Sequence, residues 1–281
     1  MKRNLFLILC LFNLSLFAQE NLLKFDKNFY EIENNWVVIP NEEGATDYTF
    51  GFVYLDIVAG YTFRDGGTFS INKEGKYIVT PVAEHEMLIY RLEENTVKMA
   101  LIVEEKLKEM KLKKNPDWLN NYKYNENADN LTKKGYFLNH FGASTSAIGP
   151  LLKAYKLNPH EKGLEFELSY AYNATGEFQK AVEVLEKALK NNPKDHMFYR
   201  ELGYSYINLK KPLEAEKIFK KGILVSSDDS QKAEMAYNMA GVYYQSKEKS
   251  KFEEWAKQVK KFANPESQYA KNITLMENEL K

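Results

Sequence analysis

The 281-residue chain balances 39 Lys and Arg against 39 Asp and Glu, with 44% hydrophobic, 28% charged and 14% aromatic residues. This excludes a disordered chain, which would be apolar-poor and unbalanced in charge, and zero formal charge gives no global attraction to nucleic acid or anionic lipid. With 14 Gly, 8 Pro and one Cys, collagen-like and disulfide-stapled frameworks are excluded too, and the length suits about two domains.

Met1-Lys2-Arg3-Asn4 is a short basic start, Leu5 to Phe17 is an apolar run broken by Asn13 and Ser15, and Ala18 precedes Gln19. This is the order of a secretory signal peptide over residues 1–18, cleaved after Ala18. The run is too short for the roughly 20 apolar residues of a membrane span. The expectation is export to the periplasm or cell envelope of a Gram-negative-type bacterium, with no stable membrane span in the mature chain. Cys10 lies inside the run, so the mature chain holds no thiol and is neither a thiol enzyme nor a Cys-ligated zinc protein. Without the signal, residues 19–103 carry a balance of −7 and residues 104–281 one of +5.

Residues 19–103 read as a small, acidic, antiparallel β-rich domain, the β part of an α+β chain. Trp36-Val37-Val38-Ile39 stops at Pro40-Asn41. Tyr48, Phe50, Phe52 and Tyr54 alternate with Thr49, Gly51 and Val53, the period of a sheet face. Tyr61–Arg64 and Thr68–Ile71 flank Asp65-Gly66-Gly67, which reads as a turn. Gly75 turns the chain into Tyr77–Thr80, and Leu88–Leu92 and Val97–Val103 complete six or seven strands.

The strongest catalytic cluster in this domain is Glu84-His85-Glu86, with Asp47, Asp56 and Asp65 elsewhere. Adjacent strand residues point to opposite faces, so these side chains do not converge on a metal without a loop. The four histidines fit no metal-ligand spacing, and GxSxG, P-loop and GxGxxG patterns are lacking. No catalytic residue, metal or cofactor is assigned. An envelope enzyme with a hydrolase or metal site at Asp56, His85 and Glu86 is the alternative reading.

Residues 104–127 form a helical linker in which Trp118 is expected to help dock the two domains. Beyond it the sequence repeats. Ala181, Leu185 and Ala188 recur 34 residues on as Ala215, Phe219 and Gly222, and Tyr172 recurs as Tyr206. One step earlier stand Ala147, Leu151 and Ala154, and Pro159 and Pro193 share the spacing. The next step is three residues longer, near Ser227-Asp228-Asp229, and reaches Tyr243, Phe252, Ala256 and Val259. A plain bundle would not repeat proline and small residues at this interval.

These residues resemble the tetratricopeptide repeat (TPR), a pair of antiparallel helices per unit. The resemblance covers about half the chain, with units at 128–161, 162–195, 196–229 and 233–266, and residues 267–281 as a C-terminal capping helix. The implied fold is an α-helical TPR solenoid following the β-rich domain. Two positions depart from the pattern. Gly149-Pro150 falls inside a second helix, which should start late or kink, and Phe252 replaces a small residue, which should splay the last pair.

The resemblance implies a groove lined by the first helix of each unit. Its carried-over positions include Tyr136, Asn139 and His140, then Phe166, Tyr170 and Asn173. Met197, Arg200, Tyr204 and Asn208 follow, then Tyr237, Tyr244 and Gln245. Rings and amides suit an extended protein or peptide partner, although several of these side chains could instead pack within the chain. Thr132 and Tyr136, and Phe166 and Tyr170, stand where TPR clamps for chaperone tails place Lys and Asn, so that subclass is not expected. The expected function is a non-catalytic, exported protein–protein interaction scaffold, with no nucleic-acid partner.

Overall fold

The alternating aromatic and small residues between 35 and 101 form strands, and regular helices follow. In the computed structural model the described residues are 23–40, 44–83 and 85–280. The signal expected over residues 1–18 lies outside them, as do residues 41–43 and Glu84. The architecture is α+β. Two units interleave along the sequence. The first holds the described residues up to Val53, with Phe63–Ile89 and Val97–Asn115, and the second holds Tyr54–Thr62, Tyr90–Thr96 and Pro116–Lys281.

The strands are β1 (Asn35–Ile39), β2 (Asp47–Asp56), β3 (Gly60–Ile71), β4 (Tyr77–Pro81), β5 (Ile89–Arg91) and β6 (Ala100–Leu101). Their order is β4-β3-β2-β1-β6, with β5 on β3. β1 runs antiparallel to β2 and β6, with Trp36 opposite Phe52, and β3 runs antiparallel to β4. A row of buried rings crosses four strands of the first unit. Trp36 lies 5.9 Å from Phe50, Phe50 6.1 Å from Phe69, and Phe69 stacks on Tyr77 at 4.4 Å. Cross-strand aromatic pairs of this kind add to area burial.

Helix α1 (Glu104–Glu109) is fastened to the end of that row. The Lys106 ammonium lies 4.5 Å from the Tyr77 ring centroid and donates to Gly75 O and Glu109 Oε2, both at 2.8 Å. Glu109 Oε1 accepts the Tyr77 N–H at 2.5 Å. The Lys106 hydrogen bond holds the Glu109 carboxyl below its ordinary range. At the other end of the row, the Trp36 indole donates to Lys113 O at 2.8 Å.

The structure corrects the turn expected at Asp65-Gly66-Gly67. β3 passes straight through these residues. A Cβ on Gly66 would lie 2.6 Å from the Phe50 ring and 3.0 Å from Trp36, and one on Gly67 would lie 2.6 Å from Val82 N. Gly67 also has φ +115°, and its N–H donates to Asp65 Oδ1 at 2.8 Å. The glycines therefore admit neighbouring rings and backbone instead of reversing the chain. The reversal falls before Gly60, where Asp56 Oδ1 accepts from Val58 N and Ala59 N.

In the second unit, that hairpin tip joins the helices. Tyr54 packs on Trp118 (5.3 Å) and Tyr122 (4.5 Å), and Tyr61 meets the edge of Phe141 at 6.0 Å. Four helix pairs follow: α2 (Ala128–His140) with α3 (Ser144–Leu157), α4 (Leu164–Ala174) with α5 (Phe178–Asn191), α6 (His196–Asn208) with α7 (Pro212–Val225), and α8 (Asp229–Gln245) with α9 (Lys249–Phe262). α10 (Gln268–Glu279) closes the array and buries Ile273 against α8 and α9.

Each pair turns through one left-handed residue: Gly142, Gly176, Lys210 and Lys247, with φ of 70°, 78°, 58° and 58°. The same two bonds close each turn; Gly176 N donates to Asn173 O and Glu177 N to Tyr172 O, as Lys210 N does to Ile207 O and Lys211 N to Tyr206 O. Glycine meets this geometry without a Cβ penalty, whereas lysine meets it with strain. Within the pairs, Gly135 faces Leu151 and Gly203 faces Phe219 so closely that any Cβ would displace those side chains.

Both departures resolve. α3 does not start late; it begins at Ser144 and continues past Pro150 to Leu157. Phe252 is fully buried, and α8 packs along α9. Bulk is exchanged within the helix: Ala256 stands where the other units have Leu151, Leu185 and Phe219, and Phe252 stands where they have alanine. Against Ala215 and Phe219 the total volume is conserved, which packed cores tolerate.

Candidate functional site

The repeat places one tyrosine at the same position of three first helices. Tyr136 on α2, Tyr170 on α4 and Tyr204 on α6 stand 34 residues apart and keep 48%, 39% and 42% of their surface exposed. Buried rings are common, but large exposed rings recurring in register are not. Each is steadied by a neighbour: Tyr136 by His140 at 6.0 Å, Tyr170 by Phe166 at 6.3 Å, and Tyr204 by Phe178 at 6.3 Å. The row ends on α8 at Gly241, where an added Cβ would meet open space.

The amides expected beside the tyrosines are turned inward. Asn139 Nδ2 donates to Glu167 O (2.9 Å) and Glu167 Oε2 (2.8 Å). One unit on, Asn173 Nδ2 donates to Glu201 O (3.2 Å) and Glu201 Oε2 (3.0 Å). Both asparagines are buried, so these two sequence-expected contacts join neighbouring units. Burial raises the Glu167 carboxyl above its ordinary value, opposed by the Asn139 bond and reinforced by the charge of Glu201.

Arg200 gathers the carboxylates around it. Its Nε and Nη2 donate to Glu201 Oε1 at 3.1 and 2.9 Å, and its Nη1 donates to Gln231 Oε1 at 2.9 Å and lies 3.7 Å from Glu234. The guanidinium also lies 5.6 Å from the Phe166 ring centroid. Burial raises Glu234, while Arg200 pulls it back and Glu201 pushes it further up. A guanidinium held by Glu201, Gln231, Glu234 and a ring is fixed in place.

The fourth unit is occupied differently. Tyr237 packs at a tilt on Tyr269 of α10 at 4.9 Å and accepts from Asn272 Nδ2 at 2.9 Å. Tyr244 donates its hydroxyl to Glu279. These two expected ligand contacts hold the capping helix. Asn208 is half-buried and donates to Tyr204 O at 3.0 Å. The face therefore comprises Tyr136, Phe166, Tyr170, Arg200 and Tyr204.

The strand-region candidates lie elsewhere. His85 is exposed, with Nε2 3.7 Å from Glu86. Asp56 caps its turn and pairs with Arg91 at 3.4 Å. No group of three or more His, Cys, Asp or Glu among the described residues could hold a metal ion. Among those residues, too, no helix is long and apolar enough to cross a membrane. The inward asparagines were discoverable: each precedes a glutamate by 28 residues, a spacing repeated one unit apart.

Paired antiparallel helices stacked at a 34-residue interval, with a recurrent face on their first helices, define a helical repeat protein. Two tetratricopeptide repeat family models match residues 162–205 and 198–229. Residues 162–229 therefore carry tetratricopeptide repeats. No curated protein matches the sequence. Among solved structures, a thermophilic TPR protein of Thermus thermophilus is 17% identical, with a TM-score of 0.46 over 54% of this chain and 81% of its own. PilF of Pseudomonas aeruginosa is 15% identical, with a TM-score of 0.46 over 55% and 68%. MamA from Desulfovibrio magneticus RS-1 is 17% identical, with a TM-score of 0.42 over 63% and 86%.

Proposed function

We propose that this tetratricopeptide scaffold is exported, non-catalytic, and holds an extended segment of a partner protein on the groove face of α2, α4 and α6. The observation that carries this reading is the exposed tyrosine row, Tyr136, Tyr170 and Tyr204, one ring per unit. Rings at a constant interval offer successive apolar contacts, and their hydroxyls reach the polar backbone of an extended chain. Arg200 adds one fixed cation beside Phe166. The neighbouring carboxylates are engaged within the chain by Asn139, Asn173 and Arg200.

A pull-down from envelope extract with the wild type and the Tyr170→Ala/Tyr204→Ala variant tests the groove. Identical partners recovered in equal yield would overturn it. The export half rests on residues 1–18. Amino-terminal sequencing of the protein from fractionated cells should give a chain starting at Gln19 in the envelope fraction. A chain starting at Met1 in the cytoplasmic fraction would remove export from the reading.

A further inference from the structure

A second recess lies away from the tyrosine row, between the end of α7, the start of α8 and the length of α9. We propose that it binds an amphiphilic carboxylate, a small molecule with an apolar, ring-sized body and one acidic head. Its volume of about 590 Å³ is in the range of small-molecule sites. It falls at the junction where the repeat interval lengthens by three residues, at Ser227-Asp228-Asp229.

The walls are apolar and the rim is basic. Trp255, Phe262, Ile223 and Leu224 supply the walls, and Leu224 is 84% exposed although it stands beside a cleft able to cover it. Lys220, Lys232 and Lys261 line the rim against a single carboxylate, Glu254. Lys220 is shared between Glu216 (2.7 Å) and Glu254 (3.5 Å), and Lys232 is held by Asp229 (2.8 Å). Lys261 has no carboxylate partner among the described residues; its ammonium lies 4.9 Å from the Phe262 ring centroid. An anion entering over Phe262 therefore meets an available cation.

A buried donor points to the same ligand class. Trp255 is 2% exposed, yet its indole Nε1 has no hydrogen-bond acceptor among the described residues. Buried indole N–H groups ordinarily have one. An oxygen brought in by a ligand would supply it once the side chains over the ring shift, among them Lys220 at 5.7 Å from the centroid. The arrangement is not a general property of the repeat. At the corresponding positions one unit earlier stand Ile218, Val225 and Asp195 in place of Trp255, Phe262 and Lys232.

Titration calorimetry of the full chain with 2-naphthoate tests the site, with 2-naphthol as the body without the charge and acetate as the head without the body. The expected result is saturable one-to-one binding of naphthoate, about tenfold tighter than naphthol, and no binding of acetate. Lys261→Glu should weaken naphthoate about tenfold. Trp255→Phe keeps a ring and removes the N–H, and should also weaken binding. Because that change lies in the core, Leu224→Asp on the exposed wall provides a second variant that leaves the fold intact. Equal affinity for naphthoate and naphthol would overturn the proposal, as would no heat with naphthoate. Wild-type affinity in Lys261→Glu and Leu224→Asp, or in a folded Trp255→Phe, would overturn it equally.

Discussion

The Asn139 side-chain amide donates both its protons to Glu167, one to the main-chain oxygen and one to the carboxylate. Asn173 does the same to Glu201. The two amides differ at their oxygens. Asn173 Oδ1 accepts from Ser205 at 2.7 Å, whereas Asn139 Oδ1 is buried without a donor among the described residues. The residue matching Ser205 one unit earlier is Ala171.

Ala171→Ser should therefore stabilise the array. The new hydroxyl would reach Asn139 Oδ1 as Ser205 reaches Asn173, and satisfying a buried acceptor is worth about 1 kcal/mol. Ser205→Ala should cost about as much by orphaning the second amide. Urea unfolding midpoints measure both changes, and a lower midpoint for Ala171→Ser would refute the pairing.

Glu167 carries a pH dependence of defined sign. Its carboxyl is raised in the folded state, first by burial, so its contribution to stability is present in full below the ordinary value of 4.5 and is lost as pH rises through the raised one. Glu167→Gln keeps an acceptor for Asn139 and removes the ionisation. The variant should exceed wild type in stability near pH 8, with the gap closing toward pH 4. Thermal melts across that range read it directly.

Lysines occupy the left-handed turn in the third and fourth units, where the first two use glycine. Lys210→Gly and Lys247→Gly should each raise stability by about 0.5–1 kcal/mol through release of backbone strain. Gly176→Ala should lose a similar amount. Equilibrium denaturation of the three variants gives the signs, and a destabilised Lys210→Gly would contradict the turn geometry.

α10 is held by Ile273 in the core and by Tyr237 and Tyr244 above it. Ile273→Asp places a carboxylate in that core and should cost about 3 kcal/mol. Hydrogen exchange should then show α10 and the Tyr237–Tyr244 stretch of α8 losing protection while α4 and α5 keep theirs. Uniform loss along all helices would show that the cap is inseparable from the array.

The repeat was legible because its signals are local and periodic. Small residues at Ala147, Ala181 and Ala215 and prolines at 159 and 193 keep one interval, and the helices follow. Gly66-Gly67 misled because a glycine pair reads alike whether the chain turns or a distant ring approaches, and Trp36 and Phe50 lie far off in sequence. Phe252 misled because its compensation sits at Ala256, one helical turn on. Of the groove positions, exposure separates Tyr136, Tyr170 and Tyr204 from Tyr237 and Tyr244. That difference depends on where α10 lies, which a 34-residue alignment does not contain.

The chain crosses between its two units five times, and the crossings set how the protein can be divided. A fragment beginning at residue 116 would contain every repeat helix and still be incomplete. It would lack Tyr54 and Tyr61, and so leave Trp118, Tyr122 and Phe141 with bare aromatic faces. Such a fragment exposes a sticky patch at the start of the array. Excision of the repeats for binding studies therefore calls for the hairpin to be carried along or for those three rings to be replaced.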